Sequence, residues 1–181
     1  RLAGLTHVPV LVRDDDPAER LADLRGRCAV ANSPDSQSGY SALRHAVSPL
    51  ARDGRFFGAV TFSGSHLASM TAVVRGEADV CAVDAVTYHL LNRLQPRLTG
   101  RLRVLARSAE APALPYITRR KIPGDDLARL RAGLRRALQD PDLTEVRSAL
   151  LLEVVVVKPT SAYDRILDLE GAAISAGYPE L

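Results

Sequence analysis

The sequence predicts an α/β fold built on a mostly parallel sheet, and three observations predict it. Apolar runs of strand length recur at Cys28–Asn32, Phe57–Phe62, Asp79–Val83 and Leu102–Leu105. Between them lie segments whose apolar residues repeat at three- and four-residue spacing, the period of a helix facing a core. The connections are short, as in strand–helix–strand crossovers. The 181 residues suffice for one large domain or two small lobes sharing a core.

Arg1–Leu5 carries no pattern. Val8–Val12 reads as a strand in which Pro9 suits an edge or a first residue. Asp14-Asp15-Asp16-Pro17 reads as a solvated turn, because no further carboxylates follow at metal-ligand spacing. Leu21–Leu24 is a helical turn ended by Gly26. After the Cys28–Asn32 strand, Tyr40, Leu43, Val47 and Leu50 share one helix face. Phe57–Phe62 leads through Ser63-Gly64-Ser65-His66 into a helix with Leu67, Met70, Val73 and Val74 inside, closed by Gly76. Asp79–Val83 ends at Asp84, and Val86, Leu90, Leu91 and Leu94 mark the next helix.

Ala109–Pro123 holds three prolines around Pro115-Tyr116-Ile117-Thr118, which suits a crossover or hinge. From Asp125 the pattern is helical, with Leu127, Leu130, Leu134 and Leu138 inside and Arg129, Arg131, Arg135 and Arg136 on a solvated face. Pro141–Leu152 reads as a helix, Glu153–Val157 as a strand and Thr160–Ala176 as a helix stopped by Gly177.

The chain is 46% hydrophobic and 25% charged, with no Trp, so its core is built from Leu, Val and Ala. A net charge of +3, spread over several helices, argues against nucleic acid as a partner. Cys28 and Cys81 read as small buried hydrophobes, with a disulfide open if their strands are neighbours. No run reaches transmembrane length. The first residue is Arg1, not Met, so the lack of a leader says little about compartment.

Three strand ends hand over to polar clusters: Asp35-Ser36-Gln37-Ser38, Ser63-Gly64-Ser65-His66, and Asp84. In a parallel sheet these carboxyl ends share the edge where ligands bind. Ser36, Gln37, Ser38 and Gly39 precede a helix, whose first N–H groups are unpaired and carry the positive end of the helix dipole. Such a start receives a tetrahedral oxyanion without any basic residue, although Ser and Asp there also serve as plain caps. His66 donates a hydrogen bond, while ionised Asp84 only accepts and therefore faces a protonated oxygen or an amine. Further candidates are Ser65, Tyr40, Tyr88 and Tyr116.

The ordered set Ser36-Gln37-Ser38-Gly39-Tyr40, Phe62-Ser63-Gly64-Ser65-His66 with Ala68-Ser69, Gly76-Glu77-Ala78-Asp79-Val80 and Ala82-Val83-Asp84 resembles the phosphonate/phosphate/phosphite solute-binding proteins of ABC transporters. Leu114-Pro115-Tyr116 and Tyr163-Asp164-Arg165-Ile166 resemble them too, so the likeness runs from about Val8 to the end. It implies a type II periplasmic-binding-protein fold, two lobes with mostly parallel sheets joined by a hinge. Residues 14–106 would form the second lobe with the oxyanion site, and 1–13 and 107–181 the hinge strands and the C-terminal part of the first lobe. The N-terminal part of that lobe is not among these residues. The family's Ser-Thr-Ser-Gly segment matches Ser36, Gln37, Ser38 and Gly39, with Gln37 standing where Thr is usual. Its histidine matches His66 and its strand-end acid matches Asp84.

The resemblance implies a small oxyanion ligand, an ABC permease partner, a periplasmic or extracytoplasmic location, and neither cofactor nor metal. The alternative is a ligand-sensing effector domain of the same fold. An enzyme with Ser36 or Ser38 as nucleophile, His66 and Asp84 ranks lower, because no G-x-S-x-G elbow is present. A metal held by His66, Asp84 and Tyr88 has too few ligands.

Overall fold

The computed structural model describes residues 5–181; Arg1–Gly4 lie outside it. Two strands, β1 (Leu5–Thr6) and β7 (Ala111–Pro112), pair antiparallel. A five-stranded sheet contains β2 (Pro9–Arg13), β3 (Cys28–Ala31), β4 (Ala59–Phe62), β5 (Val80–Ala82) and β6 (Leu102–Arg107), in the order β4-β3-β5-β2-β6.

The pairings of β3 with β4 and β5 are parallel, as the alternation of strands and helices implies. β2 runs antiparallel to both β5 and β6, so the sheet is mixed. β3, β4, β5 and β6 point one way and β2 alone runs against them. Pro9 does open β2, but the strand is internal rather than an edge. Its carbonyl receives the Val83 N–H at 3.2 Å, and the missing proline N–H falls at the strand's first position. The boundary expected after residue 13 therefore cuts through this sheet.

Helices cover both faces. On one face α1 (Ala42–Val47) inserts Leu43 and Val47 against Val10, Val12, Ala29, Val80 and Ala82. On the other, α2 (His66–Arg75) inserts Met70 and Val73 against Leu11, Val30, Cys81 and Val83. Alternate residues of each strand feed opposite cores, which is why the central strands read as unbroken apolar runs. α2 ends at Gly76, whose φ of 74° is the left-handed conformation that a β-carbon disfavours. α3 (Ala85–Leu94) and the one-turn α4 (Pro96–Thr99) follow β5. α3 is only half-covered: Leu91 packs on the second core, while Val86 and Leu94 are exposed.

Asp16 is not solvated. Its carboxylate takes two bonds from Arg27, at 2.7 and 2.9 Å, and one from the Ala18 N–H at 2.8 Å. Arg103 caps the same turn by donating to the Asp16 and Ala18 carbonyls. Both cysteines are free, because the β3–β5 register sets Val30, not Cys28, opposite Cys81. Complete burial pushes the Cys81 thiol up to about 12, so it stays protonated and inert.

The helix expected from Asp125 is α5 (Gly124–Gln139), but its leucines are not inside: Leu127 and Leu138 are half-buried, and Leu130 and Leu134 are exposed. α6 (Thr144–Leu150) follows after a turn at Pro141–Leu143. Glu153–Val157 forms no strand and has no ladder partner among the described residues. α7 (Asp164–Ser175) returns to the sheet region. Leu169 and Ala173 are buried and Tyr178 joins the α1 core. Buried Arg44 of α1 donates to Glu170 at 3.2 Å and to the Pro179 carbonyl. Although 107–181 was expected with the other lobe, α7 thus packs against α1 and β7, and Tyr178 of the tail reaches the core under α1.

Candidate functional site

β3, β4 and β5 end on one edge of the sheet, and each leads into a helix start. After β3 the chain turns at Ser36, whose Oγ accepts the Gly39 N–H at 3.0 Å. Residues Gln37–Ser41 form a wide π-type turn that runs into α1. The capping role of Ser36 is therefore real. It also leaves the Gln37 and Ser38 N–H groups without acceptors among the described residues.

After β4, Ser65 caps α2 by accepting the Ala68 N–H at 3.1 Å. Gly64, at φ 85°, makes the reversal before it. The loop is laced to the end of β3 by the Ser63 N–H to Ala31 and the Gly64 N–H to Asn32, both 2.9 Å. After β5, Asp84 caps α3: its Oδ1 accepts the Thr87 N–H at 2.8 Å and the Thr87 hydroxyl at 3.1 Å. The His66, Leu67, Ala85 and Val86 N–H groups also lack acceptors among the described residues.

His66 joins the three ends. Its Nε2 lies 3.1 Å from Ser38 Oγ and 3.5 Å from the Asp84 N–H. Its Nδ1 is buried without a partner. Burial pushes the imidazole pKa down and nearby Asp84 only partly opposes this, so the ring is neutral at neutral pH. Because Nε2 accepts the Asp84 N–H, it is the unprotonated nitrogen of the neutral ring and accepts the Ser38 hydroxyl as well, which leaves the lone pairs of Ser38 Oγ facing outward.

The Ser38–His66 distance also suits a nucleophile and its base, but the third member of a triad is missing. Asp84 spends its Oδ1 on Thr87, and nothing orients Nδ1. Among the described residues, no group of three His, Cys, Asp or Glu side chains is placed to hold a metal.

Ser36, Gln37, Ser38, Gly39, Ser65, His66 and Asp84 thus share one edge. Gln37 is half-buried at the first position of the turn. The other candidates part from them. Tyr40 stacks on Phe62 at 6.2 Å, and its hydroxyl accepts the Leu181 N–H, so it ties the tail to the turn. Tyr88 packs on the core under α2. Tyr116 is 73% exposed in the crossover after β7. Sequence reading passed over Asn32, which ends the β3 run and lies against Gly39. Its position at a strand's carboxyl end was the available signal.

The family model for the phosphonate periplasmic substrate-binding protein of ABC transporters matches residues 4–156. The chain belongs to this family. The family is one of transport components that bind a solute, not of enzymes. No curated protein matches the chain.

Among solved structures, the chain is similar to a binding protein component of an ABC phosphonate transporter from Pseudomonas aeruginosa, with TM-score 0.80 and 18% identity, over 96% of this chain and 59% of that one. PhnD1 from Prochlorococcus marinus, in complex with methylphosphonate, gives 0.79 and 14%, over 94% and 67%. XAC2383 from Xanthomonas citri, bound to ATP, gives 0.69 and 20%, over 95% and 67%. The chain spans 59% to 67% of the length of these three proteins. At such identities the likeness shows the two-lobe binding-protein fold. No helix among the described residues is long and apolar enough to cross a membrane.

Proposed function

We propose that the chain holds a phosphorus oxyanion, a phosphonate, phosphate or phosphite, at the edge formed by the ends of β3, β4 and β5. The supporting observation is that Ser38 and the Asp84 N–H both approach one nitrogen of His66, so three helix starts meet at one point. The cluster of candidates contains no Lys or Arg. Its donors are the Gln37 and Ser38 N–H groups and the first N–H groups of α2, and Ser38 Oγ, whose hydrogen goes to His66, accepts from a protonated ligand oxygen. Fixed dipoles of this kind stabilise an anion yet let it leave, as delivery to a transporter requires.

Asp84 decides among anions. A buried carboxylate repels a fully ionised ligand oxygen and accepts from a protonated one. A phosphonate, phosphite or phosphate carrying one P–OH meets this demand near neutral pH, whereas sulfate carries no proton. The Gln37 amide, longer than a threonine hydroxyl, contacts the ligand's further substituent and adjusts selectivity within the class.

The rest of the assignment follows the family. The partner is an ABC permease and the location is extracytoplasmic. The sheet and its helices form one lobe, β1 and β7 form hinge strands, and 113–160 belongs to the other lobe, with closure by hinge motion.

A thermal-shift series with methylphosphonate, phosphite, phosphate and sulfate tests the reading, since a ligand of the folded state raises Tm. Shifts for the phosphorus oxyanions and none for sulfate are expected, with sulfate gaining ground in Asp84→Asn. An equal shift with sulfate in the unaltered protein contradicts the role of Asp84. No shift with any of the four contradicts the ligand class.

A further inference from the structure

We propose that Asn32 is a positioning residue for the oxyanion turn, acting through Gly39 to set the height of Ser38 against His66. The inference rests on the reading of the turn as the ligand cradle, but its first readout does not need a ligand.

Asn32 follows β3 directly, and its carbonyl accepts the Gly64 N–H at 2.9 Å, so its main chain is anchored between the loops after β3 and β4. Its side chain reaches back under the turn. A β-carbon built on Gly39 would lie 1.8 Å from Asn32 Oδ1 and 3.2 Å from Ser36 Oγ. The carboxamide therefore fills the space that a side chain at position 39 would take. Gly39 has no left-handed backbone to demand glycine, so contact with Asn32 is the reason a larger residue is excluded there.

The same Oδ1 is buried and has no hydrogen-bond partner. A polar atom left unpaired against a glycine stabilises nothing by itself. What the amide supplies is a rigid, planar stop. Gly39 is the buried residue of the turn, and Ser38 is its neighbour on the open side. Any shift of Gly39 toward the sheet lowers Ser38 Oγ from its 3.1 Å contact with His66 Nε2 and re-aims the Gln37 and Ser38 N–H groups. The turn is thus held from below by Asn32, from its N-terminal side by the Ser36 cap, and at its C-terminal side by Tyr40, whose hydroxyl holds the tail.

The test exchanges the two volumes. In Gly39→Ala the new methyl meets the Asn32 amide; in Asn32→Ala the stop is gone. In the double variant Asn32→Ala/Gly39→Ala, the Ala methyl occupies the space of the deleted Oδ1. The first readout is the nitrogen-15 and proton spectrum of the His66 imidazole in the ligand-free full-length protein, which reports its tautomer and the Ser38 hydrogen bond. The second is calorimetric titration with methylphosphonate.

Both single variants are expected to change the His66 signature and weaken binding by roughly tenfold to a hundredfold, the worth of one hydrogen bond to a charged group. The double variant is expected to return both toward the parent values. If Asn32→Ala leaves the His66 spectrum unchanged, or the double variant shows no recovery over Gly39→Ala, the positioning role is wrong. If the spectra follow the expected pattern while the parent protein binds no methylphosphonate, the positioning role stands and the ligand assignment falls.

Discussion

The sheet region and the segment from Ala113 to Asp168 obey the same helical periodicity and end in opposite states. In the sheet, Val10, Leu11, Val12, Val80, Cys81 and Ala82 are completely buried, with helices sealing both faces. Between Ala113 and Asp168 no residue is buried, although α5 carries leucines at regular helical spacing. The difference teaches that a hydrophobic stripe tells which side of a helix prefers cover, not whether cover is supplied. Val154, 62% exposed, makes the same point for an apolar run that finds no neighbouring strand.

The comparison can be tested by making matched substitutions in the two regions. The largest contrast is electrostatic. Asp16, with 3% of its side chain exposed, is paired to Arg27; Asp126 pairs with Arg129 on exposed α5. Asp16→Ala is expected to cost about 3–5 kcal/mol, because it strands a largely covered guanidinium, and Asp126→Ala less than about 0.5 kcal/mol. Urea denaturation of the two variants measures this. Equal losses would mean that the two regions do not differ as described.

The apolar contrast is next. Leu43→Ala removes a completely buried side chain and is expected to cost about 3 kcal/mol. Leu134→Ala, at an exposed position of α5, is expected to stay within about 0.5 kcal/mol. A loss at Leu134 comparable to that at Leu43 would show that the α5 stripe is covered in solution, and would sharpen the search for what covers it.

Much of this architecture was legible in the sequence, and the limits have a physical cause. Strands β3, β4 and β5 and Gly76 at the end of α2 follow from local periodicity and backbone chemistry, so they were read correctly, whereas the helix after β3 ends at Val47, well before the expected Gly54. The place of β2 depends on ladders to residues about seventy and ninety positions away, which no local pattern encodes. The burial of Asp16 depends likewise on Arg27 and Arg103. At the site, the polar strand ends announced Ser38, His66 and Asp84, because short connections place them on one edge. The hold of Tyr40 on the C-terminal tail was not legible, since a tyrosine in a ligand turn and one holding a tail look identical in sequence. Asn32 was missed because its work is steric contact with Gly39.

After these two contrasts, a smaller effect on stability is expected from pH. Burial lowers the pKa of His66, and burial reinforced by Arg165 lowers that of His45. Both rings are thus easier to protonate in the unfolded chain. Stability is therefore fullest above the ordinary histidine value and declines as pH falls from about 7 toward about 5, by less than about 1 kcal/mol after allowance for exposure. Melting curves across this range should show the decline, and His66→Gln should flatten it. A rise in stability on acidification would mean that the imidazoles gain, rather than lose, from protonation in the fold.

The central claim is that the meeting point of Ser38, His66 and Asp84 is where a phosphorus oxyanion binds. Calorimetric titration of the full-length protein and of Ser38→Ala with methylphosphonate and phosphite tests it most directly. The account predicts tight binding by the parent protein and a loss of roughly tenfold to a hundredfold in Ser38→Ala with its melting temperature retained. Unchanged affinity in Ser38→Ala would contradict the claim and move the ligand away from this edge of the sheet.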